Sequence, residues 1–161
     1  MIKKQFLASC NEEIVREAFN LYLDVYTQWG QSNPLNFDEF KGSYTKQSDF
    51  EPTFAFFNKN LFVGYGTIMN NYPQHKKLDI GYAVVPELRR KGYGVKICKQ
   101  LIKFAKDKFN PKTIIADVFS GNIGSEKVLI KNGFQRVGEI PNFNYSLDHP
   151  RSVIFYYLNV K

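Results

Sequence analysis

With 161 residues, 43% hydrophobic and 23% charged, and with 15 Phe and 10 Tyr, the chain has the length and composition of one well-buried globular core; disordered and low-complexity classes are excluded. Its net charge of +7 is unevenly placed, since residues 1–80 hold 8 basic and 9 acidic side chains whereas residues 81–161 hold 14 and 6, so the second half asks for an anionic partner. Two distant cysteines, Cys10 and Cys98, make neither a disulfide framework nor a metal site, and no segment reaches the roughly 20 apolar residues of a membrane span, which points to a cytoplasmic protein with no membrane partner.

In chain order, "KKQFL" reads as a first strand. "NEEIVREAFNLYLDVYTQWG" reads as an amphipathic helix: Asn11 can cap it, Glu12 and Glu13 suit its first turn, and Ile14, Ala18, Leu21 and Val25 recur at helical spacing before Gly30 ends it. A short helix is expected over residues 37–43. "TFAFFNKNLFVGYGTIM" has the form of a hairpin turning at residues 58–60, and "LDIGYAVV" is a further strand stopped by Pro86, which cannot donate to a ladder.

From Gly94 the hydrophobic period changes from two to about 3.6. Cys98, Leu101, Ile102, Ala105 and Phe109 share one face, opposite a stripe of Lys96, Lys99, Lys103 and Lys106. "TIIADVF" follows as a strand, so residues 78–118 form a strand, helix, strand unit with a right-handed parallel crossover. "NIGSEKVLIKNGF" supplies another helix, with Asn122 placed to cap it and Gly133 to stop it. "QRVGEI" and "SVIFYYLNV" close the chain as two strands around the loop "PNFNYSLDHPR".

The crossover places Arg89, Arg90, Lys91, Gly92 and Gly94 between a strand end and a helix start. Free amides there, with glycines that let a ligand approach and cations beside them, suit a phosphate. A Walker A loop lacks its Gly-Lys-Ser/Thr, and a dinucleotide fingerprint lacks a third glycine where Ile97 stands. An RNA-binding RNP1 reading begins with residues 91–94 and then meets helical instead of alternating periodicity.

"LDIGYAVVPELRRKGYG" resembles the acetyl-CoA motif of the GNAT superfamily of N-acetyltransferases, R/Q-x-x-G-x-G/A after a V-x-P strand end. Arg89, Gly92 and Gly94 match its core, with Val84 and Pro86 ahead of it. "NIGSEKVLIKNGF" resembles the family's later N-x-x-S/A…G-F segment. The resemblance implies an α+β fold for residues 1–161 as a single domain: a GNAT-like central mixed, mostly antiparallel sheet of about seven strands with one parallel crossover, flanked by about four helices. It implies acetyl-CoA as the acetyl donor. The amides of Lys91, Gly92, Tyr93, Gly94 and Val95 would hold the pyrophosphate beside Arg89 and Arg90, and backbone groups of Tyr82 and Val84 would pair with pantetheine. Asn122 would either touch the cofactor or simply cap its helix.

Direct attack on a thioester needs a neutral amine, and an ordinary lysine-type amine, with a pKa near ~10.4, must first lose a proton. Asp79 is the candidate base, on a strand whose "D-I-G-Y" resembles the "E-I-G-Y" of the ribosomal-protein and small-molecule acetyltransferase branch; a surface pair with Lys76 or Lys77 is its plainer role. The Tyr82 N–H is expected to meet the acetyl oxygen. Leu129 stands where the superfamily commonly has a tyrosine proton donor, which leaves Ser125 as the candidate donor to the departing thiolate, with Tyr145 and His149 as substitutes from the last loop. The first half is the acidic one, which suits a cationic acceptor: Asp38, Glu39, Asp49 and Glu51 after the first helix carry that reading, whereas Glu12, Glu13 and Glu17 near the helix start have the plainer role of a solvated face. The expected acceptor is a small-molecule or peptide primary amine, nucleic acid is not expected, and a homodimer is the habit of the family. Two other classes stay open at this point: a non-catalytic nucleic-acid-binding domain and an acyl-CoA-binding regulator without turnover.

Overall fold

A computed structural model describes residues 1–46, 50–143 and 150–161. Its strands are β1 (Lys3–Phe6), β2 (Thr53–Asn58), β3 (Leu61–Tyr72), β4 (Lys77–Val84), β5 (Thr113–Phe119), β6 (Gln135–Phe143) and β7 (Arg151–Asn159); the helices are α1 (Glu12–Gln28), α2 (Phe37–Tyr44), α3 (Tyr93–Phe109) and α4 (Ile123–Lys131). All seven strands join one sheet in the order β1-β2-β3-β4-β5-β7-β6, in which β4–β5 is the only parallel pair. This is the α+β architecture expected from the sequence.

Local chemistry accounts for the element ends. Asn11 accepts from the Ile14 N–H to cap α1, and Asn36 with Glu39 forms a full capping box on α2. The inward face of α1 is Val15, Ala18, Leu21 and Tyr22, turned slightly from the stripe read in the sequence, with Ile14 and Val25 at its half-buried margins. Gly92 caps α3 at φ 83°, so the helix begins at Tyr93, one residue earlier than expected. β6 runs three residues beyond its expected end, through Pro141. It lies at the sheet edge, where a proline need not break a ladder bond.

Two apolar layers sandwich the sheet. On one face Ile97, Cys98, Leu101, Ile102 and Ala105 of α3 and Leu129 of α4 pack on Leu78, Ile80, Ile114 and Ala116. On the other, Val15, Ala18 and Tyr22 of α1 and Phe40 of α2 pack on Ala55, Phe62, Tyr65 and Ala83. Strand alternation therefore directs Tyr82 and Val84 to the α3/α4 face and Asp79, Gly81 and Ala83 to the α1/α2 face.

The parallel ladder is short. It runs from Lys77 opposite Thr113 to Asp79 opposite Ile115, after which β4 and β5 part while β5 stays paired with β7 as far as Phe119. On its other side β4 remains paired with β3 up to Val84 opposite Gly64, and the Val85 N–H donates to the Val63 carbonyl at 3.1 Å. Hydrogen-bonded pairs alternate along an antiparallel ladder, so the main-chain groups of Tyr82 and Val84 point away from β3 and into the split.

Candidate active site

The split between β4 and β5 opens a cleft of ≈ 570 Å³. Its walls are the end of β4 (Tyr82, Ala83, Val84), the turn into α3 (Arg89, Arg90, Gly92, Gly94, Val95), the start of α4 (Asn122, Ser125, Lys127, Val128) and, from the opposite face of the sheet, the end of α1 (Val25, Gln28, Trp29). The cofactor residues expected from sequence, far apart in the chain, thus converge here: Tyr82, Val84, Arg89, Arg90, Gly92, Gly94, Val95 and Asn122, with Ser125 among them. Lys91 and Tyr93 are not part of the wall, and the Tyr93 hydroxyl accepts from Asn58 Nδ2 at 2.8 Å.

The glycine turn is built by backbone geometry. Arg90 and Gly92 both have positive φ, 61° and 83°, and a side-chain carbon added at Gly92 would meet nothing within 4 Å, so the space above it is open. Gly94 has a different reason to be glycine: a Cβ there would stand 3.1 Å from Val128 Cγ2, so its absence lets α3 start close against α4. Arg89 straps the turn in place. Its Nε donates to the Val84 carbonyl (3.0 Å), one terminal nitrogen to Gln28 Oε1 (3.2 Å) and the other to Asp24 Oδ2 (2.6 Å). Its charge is thereby matched by a carboxylate, whereas Arg90, Lys127 and Lys131 line the cleft with no ion pair among the described residues.

Asn122 caps α4 by accepting the Ser125 N–H at 3.1 Å, which supports the plainer of its two expected roles while leaving it on the cleft wall. The helix is tied down further along by Tyr156 Oη, which donates to Glu126 Oε2 at 2.6 Å, and by Asn132 Nδ2, which donates to the Val95 carbonyl at 3.3 Å. Leu129 is fully buried in the α3/α4 layer. The Ser125 hydroxyl lies 3.0 Å from the Tyr82 phenol oxygen. Burial raises the Tyr82 phenol well above its ordinary range, with the bond to Ser125 acting in the opposite direction.

Asp79 is not on the cleft wall. It accepts from Asn71 Nδ2 at 2.7 Å, and alternation puts it on the α1/α2 face beside the point where the strands part. Asp117, two residues beyond the last parallel rung on β5, shares that face. Lost hydration raises the half-buried Asp79 carboxyl, with the Asn71 bond partly offsetting the shift, and acts in the same direction with the Asp79 charge at Asp117, whose side chain nevertheless stays exposed. Near them Trp29 packs on Phe119, with ring centres 5.8 Å apart. Asp24, Gln28, Trp29, Asn71, Asp117, Lys127 and Lys131 are the residues that sequence reasoning missed, and no local motif marks them. Tyr145, His149 and Asp49 lie outside the described residues.

Two carboxylates of the acidic first half are engaged locally. Glu12 pairs with Arg16 at 2.8 Å and approaches Lys41 at 3.8 Å, while Glu39 serves the capping box. The carboxylates placed by the fold beside the split are Asp79 and Asp117.

The chemistry of the donor set fits a phosphorylated thioester carrier: an open, glycine-floored helix start, three cations with no ion pair among the described residues, and strand-edge N–H groups at Tyr82 and Val84 turned away from β3 toward an extended amide chain. Comparisons with known proteins agree in kind. Residues 7–135 match the family described as acetyltransferase (GNAT) domain. A curated relative, "uncharacterized N-acetyltransferase YoaA" of Bacillus subtilis (strain 168), is 29% identical over 77 residues, 48% of this chain and 44% of that protein, so the chain matches less than half of the relative's length. Among solved structures, an N-acetyltransferase from Staphylococcus aureus Mu50 superposes with a TM-score of 0.85 at 24% identity over 100% of this chain and 99% of that one. Spermidine N-acetyltransferase from Vibrio cholerae, in complex with CoA and spermine, gives 0.83 at 16% identity over 98% and 95%. The chain belongs to the GNAT acetyltransferase family.

Proposed function

We propose that the protein transfers an acetyl group from acetyl-CoA to a primary amine by direct attack in a ternary complex. The observation that carries this reading is the cleft through the parted strands, with an anion-binding turn and Ser125 on one side and Asp79 on the other face of the sheet. Acetyl-CoA, when bound, supplies the acetyl group as an activated thioester. The amides at the start of α3 with Arg90 hold its pyrophosphate, and the strand-edge groups of Tyr82 and Val84 hold its pantetheine arm. The Tyr82 N–H donates to the developing oxyanion, Asp79 takes the proton that the acceptor ammonium must lose, directly or through water, and Ser125 donates to the departing sulfur.

The acceptor we infer is a cationic amine. Two carboxylates, Asp79 and Asp117, border the split on the face opposite Ser125, and the Vibrio cholerae neighbour holds spermine, a polycation. Calorimetric titration with acetyl-CoA, followed by thiol release with polyamines, aminoglycosides, amino acids and peptide N-termini, tests both parts. Cofactor binding followed by turnover with a charged amine is the expected result. Binding without transfer to any amine would favour an acyl-CoA-binding regulator, and salt-steep RNA binding without cofactor binding would favour a nucleic-acid-binding domain.

A further inference from the structure

The Ser125 hydroxyl has one hydrogen-bond partner among the described residues, the phenol of Tyr82 at 3.0 Å. Tyr82 reaches it from β4, 43 positions away, with its side chain packed against the α3/α4 core, and both residues line the cleft. Two arrangements of the two protons are available. In one, Ser125 donates to Tyr82 and Tyr82 donates to the Ser125 carbonyl at 3.4 Å, a long contact, and both protons are spent inside the protein. In the other, Tyr82 donates to Ser125 Oγ over the shorter distance, and the serine proton is left to point into the cleft.

We infer that Tyr82 acts through its side chain as a positioning residue, donating to Ser125 Oγ so that the serine proton faces the sulfur leaving the thioester. This rests on the acetyltransferase reading and gives Tyr82 a role separate from that of its main-chain N–H. No proton leaves Tyr82: the phenol keeps its own, and the serine hydroxyl hydrogen-bonds to the sulfur as negative charge accumulates there; the proton that finally rests on the sulfur is the one the attacking nitrogen loses as the amide forms, so any proton the serine passes on is replaced from that nitrogen. Burial suits this part, because a phenol raised above its ordinary range stays protonated at any working pH. The Asn122 cap fixes the Ser125 main chain while Tyr82 fixes its hydroxyl, so the donor is oriented before the thioester arrives.

Tyr82→Phe keeps the ring in the core and removes only the donor. With folding checked by thermal melting, we expect kcat to fall by about 10-fold, the scale of one well-placed polar group, with the KM for acetyl-CoA near the wild-type value. In a Ser125→Ala background the same change is expected to cost nothing further, since the group it orients is gone. A second readout needs no turnover. A hydroxyl pointing into the cleft favours a thiolate, so CoA should gain on desulfo-CoA in calorimetric titrations as pH rises through the ordinary thiol value of about 8.5, and Tyr82→Phe should abolish that gain. A wild-type kcat in Tyr82→Phe, an equal penalty in both backgrounds, or an unchanged CoA preference would overturn the inference. If Ser125→Ala itself kept the full rate, the serine assignment beneath it would fall, and the inference with it. Should no amine prove a substrate, the acetyl-transfer reading would fail while the comparison of CoA with desulfo-CoA still decided how Ser125 is oriented.

Discussion

Asp79 and Asp117 stand on neighbouring strands at the point where their ladder ends, and each is held above the ordinary aspartate range chiefly by burial. For Asp79 the consequence bears on its proposed role as base. A carboxyl displaced toward neutral pH is a better match to a base that must act there, and Asp79→Asn is expected to lower the rate at neutral pH with little change in acetyl-CoA binding. Raising the pH should recover part of the loss as the free amine becomes more abundant; a wild-type rate across the pH range would assign the base to water. Asp117 is shifted in the same direction, by lost hydration and by the Asp79 charge, but its side chain is exposed on β5 and solvent screens the effect, so Asp117→Asn is expected to melt within a degree or so of the wild type at pH 7. A clear rise in the melting temperature of that variant at neutral pH would mean that the carboxyl is held away from water.

The turn from β4 into α3 shows how two glycines of one motif differ. Gly92, at φ 83° over open space, tolerates bulk but not the backbone angle of an L residue, whereas Gly94 excludes a Cβ because Val128 is 3.1 Å away. Gly92→Asp puts a carboxylate where phosphate should bind, and acetyl-CoA affinity is expected to fall by more than ~10-fold, or ~1.4 kcal/mol, in calorimetric titration. Gly94→Asp should weaken binding as well and lower the melting temperature, since the Val128 side chain must give way to admit it, while Gly92→Asp loses stability through its positive φ instead. Unchanged affinity in folded Gly92→Asp would remove the turn from the site. What the sequence made legible at this scale was what neighbours within a few residues decide: Asn11 and Asn122 as caps, the hairpin turn at Lys59, the change of period at the start of α3 and the parallel crossover. What it left hidden is contact across the chain. Arg89 and Asp24 are 65 positions apart, and Tyr82 and Ser125 are 43 apart. Period assigns each side chain a face of its own element; it does not say which other element faces it. Tyr82 was accordingly legible as a main-chain donor on a strand, whereas its hydroxyl contact had no signal at all.

At the scale of the molecule, the sheet separates charge as well as chemistry. The acidic first half, read in sequence as a cationic-acceptor surface, turns out to spend Glu12 on Arg16 and Glu39 on a helix cap. The carboxylates beside the split are instead Asp79 and Asp117, one from each half of the chain. On the cleft wall, Arg89 is matched by Asp24, which leaves Arg90, Lys127 and Lys131 as the cations with no ion-pair partner among the described residues. On the reading proposed above, the anionic carrier is drawn to the cations of the cleft and a cationic amine to the carboxylates on the other face of the sheet, and both attractions should weaken with salt. Raising ionic strength from 0.01 M to 0.1 M shortens the Debye length from about 30 Å to about 10 Å, so the KM values for acetyl-CoA and for a polyamine should both rise. Removing the cations separates the two: Lys127→Ala with Lys131→Ala should raise the KM for acetyl-CoA and flatten its salt dependence while leaving that of the acceptor intact. Asp117→Asn should do the reverse. Neutral and anionic amines should be poorer acceptors than cationic ones of similar size. An anionic best acceptor, or an acceptor KM indifferent both to salt and to Asp117→Asn, would show that the charge separation across the sheet plays no part in substrate choice, even with acetyl transfer established.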